Sequence, residues 1–405
     1  MLPYDEFLIQ LREQSLFREL RTIESIQGTV VRMGDRLLVN FASNDYLGLS
    51  QHPAVKASAK LAIDRFGAGA GASRLVTGTE SPHTKFEEEI AAFKGAESAL
   101  VFSTGYSAAI GTITSLVGPG DVVILDKLAH ACLIDGAKLS GAALRVFPHN
   151  NAAKLKRQLA WARQTYPQGQ TLIVTESIFS MDGDFGDLPA IVDLKTEFQA
   201  LLLVDEAHAT GVIGPQGAGW IAALGLTRQI DIQMGTLSKA LGASGGFICG
   251  SKTLIQLLVN RARSFIYSTA LPPASAAAAS AALGIVRTAE GETLRSHLWR
   301  NVHFLVGCLT SASGKIPERV SPIFPWLIGD EQQSLGLAES LLKNGFLVPA
   351  IRFPTVARGS ARLRIALSAS HTPEQIQSLS RTIIASREFF EELQPQAIPK
   401  GRLER

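Results

Sequence analysis

The chain has 405 residues, enough for two or three domains. Its 39 Lys and Arg residues nearly balance 36 Asp and Glu, and a net charge of +3 indicates neither a nucleic-acid nor a membrane partner, so we expect small-molecule substrates. The sequence shows no apolar run of about 18 residues and no signal-peptide pattern, and its cysteines lack disulfide or metal-ligand spacing, so we expect a cytoplasmic protein without a metal.

The predicted elements divide the chain into three parts. An amphipathic helix, EFLIQLREQSLFREL, and two short strands, GTVVRM and RLLVNF, indicate an N-terminal arm over residues 1–47. Over residues 48–288, apolar runs of strand length alternate with helical patterns, which is typical of an α/β domain with a mostly parallel sheet between helices. Residues 289–405 predict a smaller α+β domain that contains SPIFPWLIG, GFLVPAIRF and ARLRIALSA and a final helix near 373–393.

The segment GTLSKALGASGG places Lys239 among small residues, between the predicted strands DIQMGTLS and GGFICGS. Most lysines are solvated surface amines, but this one is expected at the rim of a buried sheet. Desolvation there would favour a neutral amine that can react with an aldehyde, and the small neighbours would leave room for a flat ring.

One strand earlier, LLLVDEAHATG ends an apolar run with Asp205 and places His208 three residues later. A carboxylate at a strand end can merely cap a helix or pair with an arginine. Together with Lys239, however, it can keep a pyridine nitrogen protonated, so that the ring accepts electrons from a carbanion. Lysine and aspartate thus indicate pyridoxal 5'-phosphate (PLP) as the cofactor.

The cofactor's phosphate requires an anion site, and FSTGYSAAIG offers one. An apolar strand is followed by Thr104, Gly105 and Tyr106 at the start of a predicted helix, where unpaired backbone N–H groups favour an anion. Thr236, beside the lysine, can add a hydroxyl donor. His130 in DKLAHACLIDG is by itself more typical of a structural histidine, but it could stack on the exposed face of the ring.

With these residues assembled, the chain resembles the α-oxoamine synthases, a family of fold type I PLP enzymes, from about Arg18 to HTPEQI near residue 375. The blocks that carry the resemblance include NFASNDYLGLS, GAGAGASRLVTGTESPHTKFEEEIAAFKG, TESIFSMDGDFGDL, LLVDEAHATGVIGPQGAG, GTLSKALGASGGFI, SFIYSTALPP and RFPTVARGSARLRIALSASHT. The sequence departs from many relatives at Ala109, where they carry asparagine, and at FPTV, where two prolines are usual.

The resemblance implies a role for each matched position. Lys239 would be the Schiff-base lysine, Asp205 the partner of the pyridinium nitrogen, and His208 a hydrogen-bond donor to the ring hydroxyl. The remaining cofactor contacts would come from Gly105, Tyr106, the stacking His130, Ser180, Thr236 and, across a homodimer interface, Ser268 and Thr269. The substrates would be held by Asn44 and Arg364, with Arg18 and Thr355 further out.

The family joins an amino acid to an acyl thioester with loss of carbon dioxide. The block TVARGSARLRIALSASHT is most similar to the members that use L-alanine and a pimeloyl thioester in biotin synthesis, with coenzyme A or acyl carrier protein as the carrier. Glycine-using members, which make 5-aminolevulinate or 2-amino-3-oxobutyrate, and serine-using members, which make sphingoid bases, remain alternatives. So does a catalytically silent PLP-binding protein.

Two other interpretations have weaker support. Gly242 to Gly246 matches the G-x-S-x-G pattern of hydrolases around Ser244, but the segment leads into a predicted strand rather than a helix. Gly67 to Ser73, GAGAGAS, lacks both the spacing and the preceding strand of a dinucleotide-binding loop.

Overall fold

The structure is a computed structural model and describes residues 3–313 and 320–392. It contains two compact units. The larger comprises residues 44–299 and 368–370, and the smaller comprises the described parts of 1–43, 300–367 and 371–405. The N-terminal segment and the C-terminal part thus belong to the same compact unit. The domain boundaries predicted after residues 47 and 288 remain a prediction.

The N-terminal segment begins with helix α1 (Pro3–Glu13) and continues to strands β1 (Val30–Met33) and β2 (Arg36–Asn40). The predicted helix extended to Leu20, but α1 ends earlier. The reason is local: Ser15 adopts a left-handed conformation (φ 57°), and the backbone N–H groups of Leu16 and Phe17 both donate to the carbonyl of Leu11. The chain then leaves the helix axis.

The larger unit is built on a seven-stranded sheet in the order β3-β9-β8-β7-β6-β4-β5. Strand β9 is antiparallel to both neighbours, and the other adjacent pairs are parallel, so the predicted α/β fold with a mostly parallel sheet is confirmed. The strands are β3 (Ser98–Phe102), β4 (Val122–Asp126), β5 (Ala143–Phe147), β6 (Thr171–Glu176), β7 (Leu201–Asp205), β8 (Ile232–Thr236) and β9 (Gly246–Gly250).

Helices cover both faces of this sheet, as near-continuous apolar strands require. Every residue of β4 and β8 is buried, and separate apolar clusters fill the two faces. The helices are α2 (Pro53–Phe66), α3 (Ser81–Lys94), α4 (Gly105–Leu116), α5 (Ala131–Ser140), α6 (Ala152–Thr165), α7 (Leu188–Phe198), α8 (Trp220–Ala223), α9 (Lys252–Arg261), α10 (Arg263–Ile266) and α11 (Pro273–Val286), and α12 (Ala289–Ser313) leads out of the unit.

The smaller unit contains two three-stranded sheets, β1-β2-β11 and β10-β13-β12. The predicted strand GFLVPAIRF is divided in two because Pro349 lacks an N–H group and uses its carbonyl to accept from Arg364. The elements are β10 (Ile323–Gly329), α13 (Glu331–Lys343), β11 (Phe346–Leu347), β12 (Ala350–Ile351), β13 (Ala361–Ala366) and α14 (Pro373–Glu392). In the described part of the chain, no helix is long and apolar enough to cross a membrane.

Candidate active site

One edge of the large sheet collects the chemistry-bearing residues. The parallel strands β6, β7 and β8 end there in Glu176, Asp205 and Thr236. Strand β9 runs the opposite way, so it begins at the same edge with Gly246, which pairs with Thr236. Carboxyl ends of parallel strands are the usual location of ligand sites in α/β folds, and the sequence predicted Lys239 and Asp205 at such an edge.

Lys239 lies three residues beyond β8 and is partly exposed. Its Nζ is 2.8 Å from Nε2 of His208, which is 4 % exposed. The turn between β8 and β9 that carries Lys239 is tight: Gly242 has φ 59°, and a Cβ at this position would lie 2.2 Å from the backbone nitrogen of Ser50. Gly242 therefore allows the loop that carries Lys239 to pack closely against the backbone at Ser50.

Two adjacent acids at the end of β7 have different environments. Glu206 is fully buried in an ion pair with Lys94, and its other oxygen accepts from the backbone N–H of Ile221 at 2.9 Å. Asp205 accepts a hydrogen bond from the backbone N–H of Ala207 at 2.8 Å, and it faces the positive charge of Lys239. Burial raises the pKa of Asp205, while Lys239 acts in the opposite direction. Asp205 is thus the acid that is available to a ligand.

The predicted anion site lies at the N-terminus of α4. Thr104 is the N-cap, and its hydroxyl accepts from the backbone N–H of Ser107 at 2.9 Å. Gly105 lies flush against β9: a Cβ on Gly246 would come within 2.6 Å of the Gly105 Cα atom. The phenol of Tyr106 donates to Asp135, which raises the tyrosine pKa. A helix N-terminus with small residues in front of it suits a phosphate.

The remaining hydroxyl residues of the prediction surround this turn. Thr236 is 7 % exposed, and its Oγ1 donates to the carbonyl of Gly245 at 2.8 Å and lies 2.7 Å from the Ser238 hydroxyl. Ser268 Oγ is 3.4 Å from Ser103 Oγ, and Ser103 also donates to the carbonyl of Thr269 at 3.1 Å. The segment with Ser268 and Thr269 thus packs against the same chain's turn after β3.

His130 is the N-cap of α5, and its Nδ1 accepts from the backbone N–H of Cys132 at 3.2 Å. Desolvation lowers the pKa of His130, although the nearby Asp205 carboxylate opposes this effect. The backbone N–H of His130 donates to Oε1 of Glu176 at 2.6 Å. A neutral imidazole is well suited to stacking on a ring or donating a hydrogen bond.

Ser180 is buried (7 % exposed) in the loop that follows β6. This loop folds back through a β-bridge between Ile178 and Phe185 and a hydrogen bond from Gly186 N–H to the Ser177 carbonyl at 3.1 Å. Ser177 also donates to the Asp205 carbonyl, through its N–H at 2.9 Å. The loop that carries Ser180 is therefore fixed to the end of β7.

The predicted substrate residues fall in both units. Asn44 belongs to the larger unit, where its Oδ1 accepts from the phenol of Tyr46 at 3.2 Å. Within the smaller unit, Arg18 donates to the carbonyl of Phe353 at 3.0 Å, close in sequence to Thr355. Arg364 lies on β13 and is 4 % exposed. Their roles towards substrate remain predictions.

Sequence reasoning missed two buried residues of this region. Glu176 is 2 % exposed and pairs in register with Asp205, and burial followed by repulsion from Asp205 raises its pKa well above the usual value. Tyr46 is fully buried, and its phenol lies 2.6 Å from Nδ1 of His208. Glu176 could have been found because it ends its strand as Asp205 does. Tyr46 carried no such positional signal.

The two weaker interpretations can be compared with the structure. Ser244 is exposed just before strand β9, so it does not occupy the strand-to-helix turn of a hydrolase nucleophile. Gly67 to Ser73 follows helix α2 rather than a strand, unlike a dinucleotide-binding loop. In residues 3–313 and 320–392, no group of His, Cys, Asp and Glu side chains is arranged to hold a metal ion.

A parallel sheet whose carboxyl edge combines a lysine, a buried aspartate and a helix N-terminus defines the fold type I class of PLP enzymes. The family model described as Aminotransferase class I and II matches residues 36–383, and the chain belongs to this family.

Two curated relatives that cover more than 90 % of this chain have the same name. The chain is 46 % identical over 386 residues to the 8-amino-7-oxononanoate synthase of Geobacter sulfurreducens, which covers 95 % of this chain and 97 % of the relative. It is 45 % identical over 369 residues to the protein of the same name from Pelobacter propionicus, covering 91 % and 94 % of the two chains.

Solved structures show the same fold. A serine palmitoyltransferase from S. paucimobilis with a bound PLP adduct superposes with a TM-score of 0.90 at 30 % identity, covering 96 % of this chain and 98 % of that one. The 8-amino-7-oxononanoate synthase of Francisella tularensis gives a TM-score of 0.75 at 28 % identity, covering 87 % and 99 %.

The residues at the sheet edge fit PLP. A phosphate requires backbone N–H donors, which the first turn of α4 presents beside the close contact of Gly105 and Gly246. A pyridine nitrogen requires a buried carboxylate, and Asp205 is one whose hydrogen-bonding capacity is not consumed by an ion pair like that of Glu206. An aldehyde requires an amine, which Lys239 supplies.

Proposed function

We propose that the protein is a PLP-dependent acyltransferase that condenses L-alanine with a pimeloyl thioester, releasing carbon dioxide and the free thiol and forming 8-amino-7-oxononanoate for biotin biosynthesis. The observation that carries the PLP chemistry is Lys239 in contact with His208 at the sheet edge where Asp205 is buried. The named relatives, 43–46 % identical over at least 91 % of this chain, support the choice of substrates.

When bound, PLP supplies an electron-accepting ring that stabilises negative charge on the α-carbon of an amino acid. In this proposal Lys239 would hold the cofactor covalently, and Asp205 would keep a proton on the ring nitrogen. Burial makes the negative charge of Asp205 unfavourable, so a cationic partner is favoured there. Gly105, Tyr106, Ser180 and Thr236 would hold the cofactor, His208 would donate a hydrogen bond to its ring hydroxyl, and His130 would stack on the ring.

Proton transfer falls to Lys239. In this proposal the Lys239 amine would take the proton from the α-carbon of alanine and return a proton to the same carbon after carbon dioxide is lost. The Lys239 Nζ lies 2.8 Å from Nε2 of His208, and this contact orients the amine. The tight loop at the sheet edge limits the positions of the Lys239 side chain, which would favour proton transfer to and from a bound substrate.

Substrate recognition is assigned to charged and polar groups of known geometry. Arg364 is proposed to bind the alanine carboxylate through two parallel hydrogen bonds, which the planar guanidinium can form and a lysine cannot. Asn44 contacts the amino-acid part, and Arg18 and Thr355 contact the acyl part. His130 donates a hydrogen bond to the acyl carbonyl as negative charge develops on its oxygen.

The proposal includes a homodimer with shared sites, in which Ser268 and Thr269 of each chain reach the phosphate bound by the other. Coenzyme A or acyl carrier protein carries the acyl group. A cytoplasmic location also belongs to the proposal, and it is supported by the free state of Cys132, Cys249 and Cys308.

A second candidate is a serine-using activity, favoured by the TM-score of 0.90 with serine palmitoyltransferase. The test is to incubate the PLP-loaded protein with alanine, glycine or serine and acetyl, pimeloyl or palmitoyl thioesters, and to measure thiol release and amino-ketone mass. We expect alanine with the pimeloyl thioester to give the highest kcat/KM. A preference for serine with palmitoyl thioester would replace the proposal by the second candidate, and glycine with acetyl thioester would also contradict it.

A further inference from the structure

A chain of hydrogen-bonding groups extends from the lysine into the core of the larger unit. Lys239 Nζ contacts Nε2 of His208 at 2.8 Å, and Nδ1 of the same ring contacts the phenol oxygen of Tyr46 at 2.6 Å. That oxygen lies 3.2 Å from Oδ1 of Asn44. Lys239, His208, Tyr46 and Asn44 therefore form one connected series that starts at the catalytic amine.

Tyr46 is held firmly in this series. It is fully buried, its backbone N–H donates to the Asn44 carbonyl at 2.8 Å, and its own carbonyl accepts from Ala369 at 2.7 Å. The phenol ring packs against the His208 imidazole at a centroid distance of 6.0 Å. A phenol fixed at both backbone and ring can set the direction of a neighbouring imidazole.

The phenol has a single proton, and this limits the arrangements of the series. When Tyr46 donates to Oδ1 of Asn44, the contact of 2.6 Å to His208 requires a hydrogen on Nδ1, and Nε2 then accepts from a positively charged Lys239. When Tyr46 instead donates to Nδ1, the ring carries its hydrogen on Nε2 and can donate to a negative oxygen. The hydroxyl suits both tautomers.

We propose that Tyr46 is a positioning residue that holds His208 with Nε2 directed to the active site and allows it to meet either the Lys239 cation or an anionic oxygen of the bound cofactor. This inference rests on the proposed function. It assigns Tyr46 no contact with substrate and no proton transfer of its own. It predicts that the phenol hydroxyl, rather than the ring, influences the charge state of the site.

The test is Tyr46→Phe, which keeps the buried ring and removes only the hydroxyl. One hydrogen bond of about 1 kcal/mol to one charge state corresponds to a shift of roughly half to one pH unit. We therefore expect the pH midpoint of the visible absorption of bound PLP to move by roughly that amount, and the PLP dissociation constant to rise about fivefold. Tyr166→Phe, at the end of α6 against Trp161, is the control and should change neither value.

The outcomes separate the two proposals. If the unaltered protein gives no visible absorption with PLP, the proposed function fails. If it does, and Tyr46→Phe folds with an unchanged pH midpoint and an unchanged PLP dissociation constant, the role assigned to Tyr46 is wrong. Should Tyr46→Phe not fold, ¹⁵N-histidine spectra of the unaltered protein without PLP decide, because the inference requires His208 to carry hydrogen on Nδ1 when Lys239 is charged.

Discussion

Two adjacent acidic residues at the end of strand β7, Asp205 and Glu206, contribute differently to stability. Glu206 and Asp205 are both buried, but Glu206 is neutralised by Lys94, whose ammonium also donates to the Ala218 carbonyl at 2.6 Å. Asp205 has no such ion pair with Lys94, and burial raises its pKa. Glu206 therefore stabilises the fold, whereas the charge of Asp205 opposes folding, in keeping with its proposed role towards a ligand.

This difference can be measured with two amide substitutions. Asp205→Asn removes the charge opposite the proposed ring nitrogen, and we expect kcat to fall by roughly a hundredfold or more. Stability without PLP should not fall, because a raised carboxyl pKa in the folded state means that the charge opposes folding once the pH exceeds the pKa of the unfolded chain. Steady-state kinetics and urea unfolding without PLP give the two numbers.

Glu206→Gln is the matched control. It leaves Lys94 buried without its counterion, and we expect it to lower the free energy of unfolding by about 3–5 kcal/mol. Activity of the fraction that remains folded should be nearly normal. If instead Asp205→Asn were destabilised and fully active, the assignment of the two acids would be reversed.

At the scale of elements, loops at the sheet edge are held together by a histidine between two carboxylates. His149 follows β5, and its ring nitrogens lie 3.0 Å from Asp126 at the end of β4 and 2.6 Å from Asp184 in the loop that also carries Ser180. Burial lowers the histidine pKa, but the two hydrogen-bonded carboxylates outweigh this and raise it to about 10. The imidazolium thus joins three loops near the site.

This arrangement predicts a pH dependence with a definite sign. Because the folded pKa is raised above the ordinary value of 6.5, the stabilisation is complete below about pH 6.5 and is lost as the pH rises through about 10. We expect His149→Gln to cost about 2 kcal/mol at neutral pH and much less near pH 10. Urea unfolding of both proteins across this range tests it, and a difference that grows with pH would contradict the role of His149.

The elements themselves were largely predictable, and the site less so. Strands such as β4 and β8 are buried apolar runs, and their order in an α/β pattern brings Lys239 and Asp205 to one edge. The end of α1 was not predictable, because it depends on the left-handed backbone of Ser15 rather than on apolar spacing. Tyr46 was missed because its role depends on a contact with His208, 162 residues away in the sequence.

At the scale of the whole molecule, each active site of the proposed homodimer contains residues from both chains. We expect sedimentation to give twice the chain mass, and dilution to reduce the activity per chain in step with the dimer fraction. The reason is that Ser268 and Thr269 are proposed to complete the phosphate site of the other chain. A monomer with undiminished activity per chain would refute shared sites.

The central claim is that PLP is bound covalently by Lys239. The most direct measurement is to load the protein with PLP, reduce it with borohydride, digest it and find the modified peptide by mass spectrometry. We expect the pyridoxyl mass on Lys239 within residues 235–246, and its absence in Lys239→Ala but not in Lys252→Ala, an exposed lysine at the start of α9. Modification of another lysine, or none at all, would contradict the account.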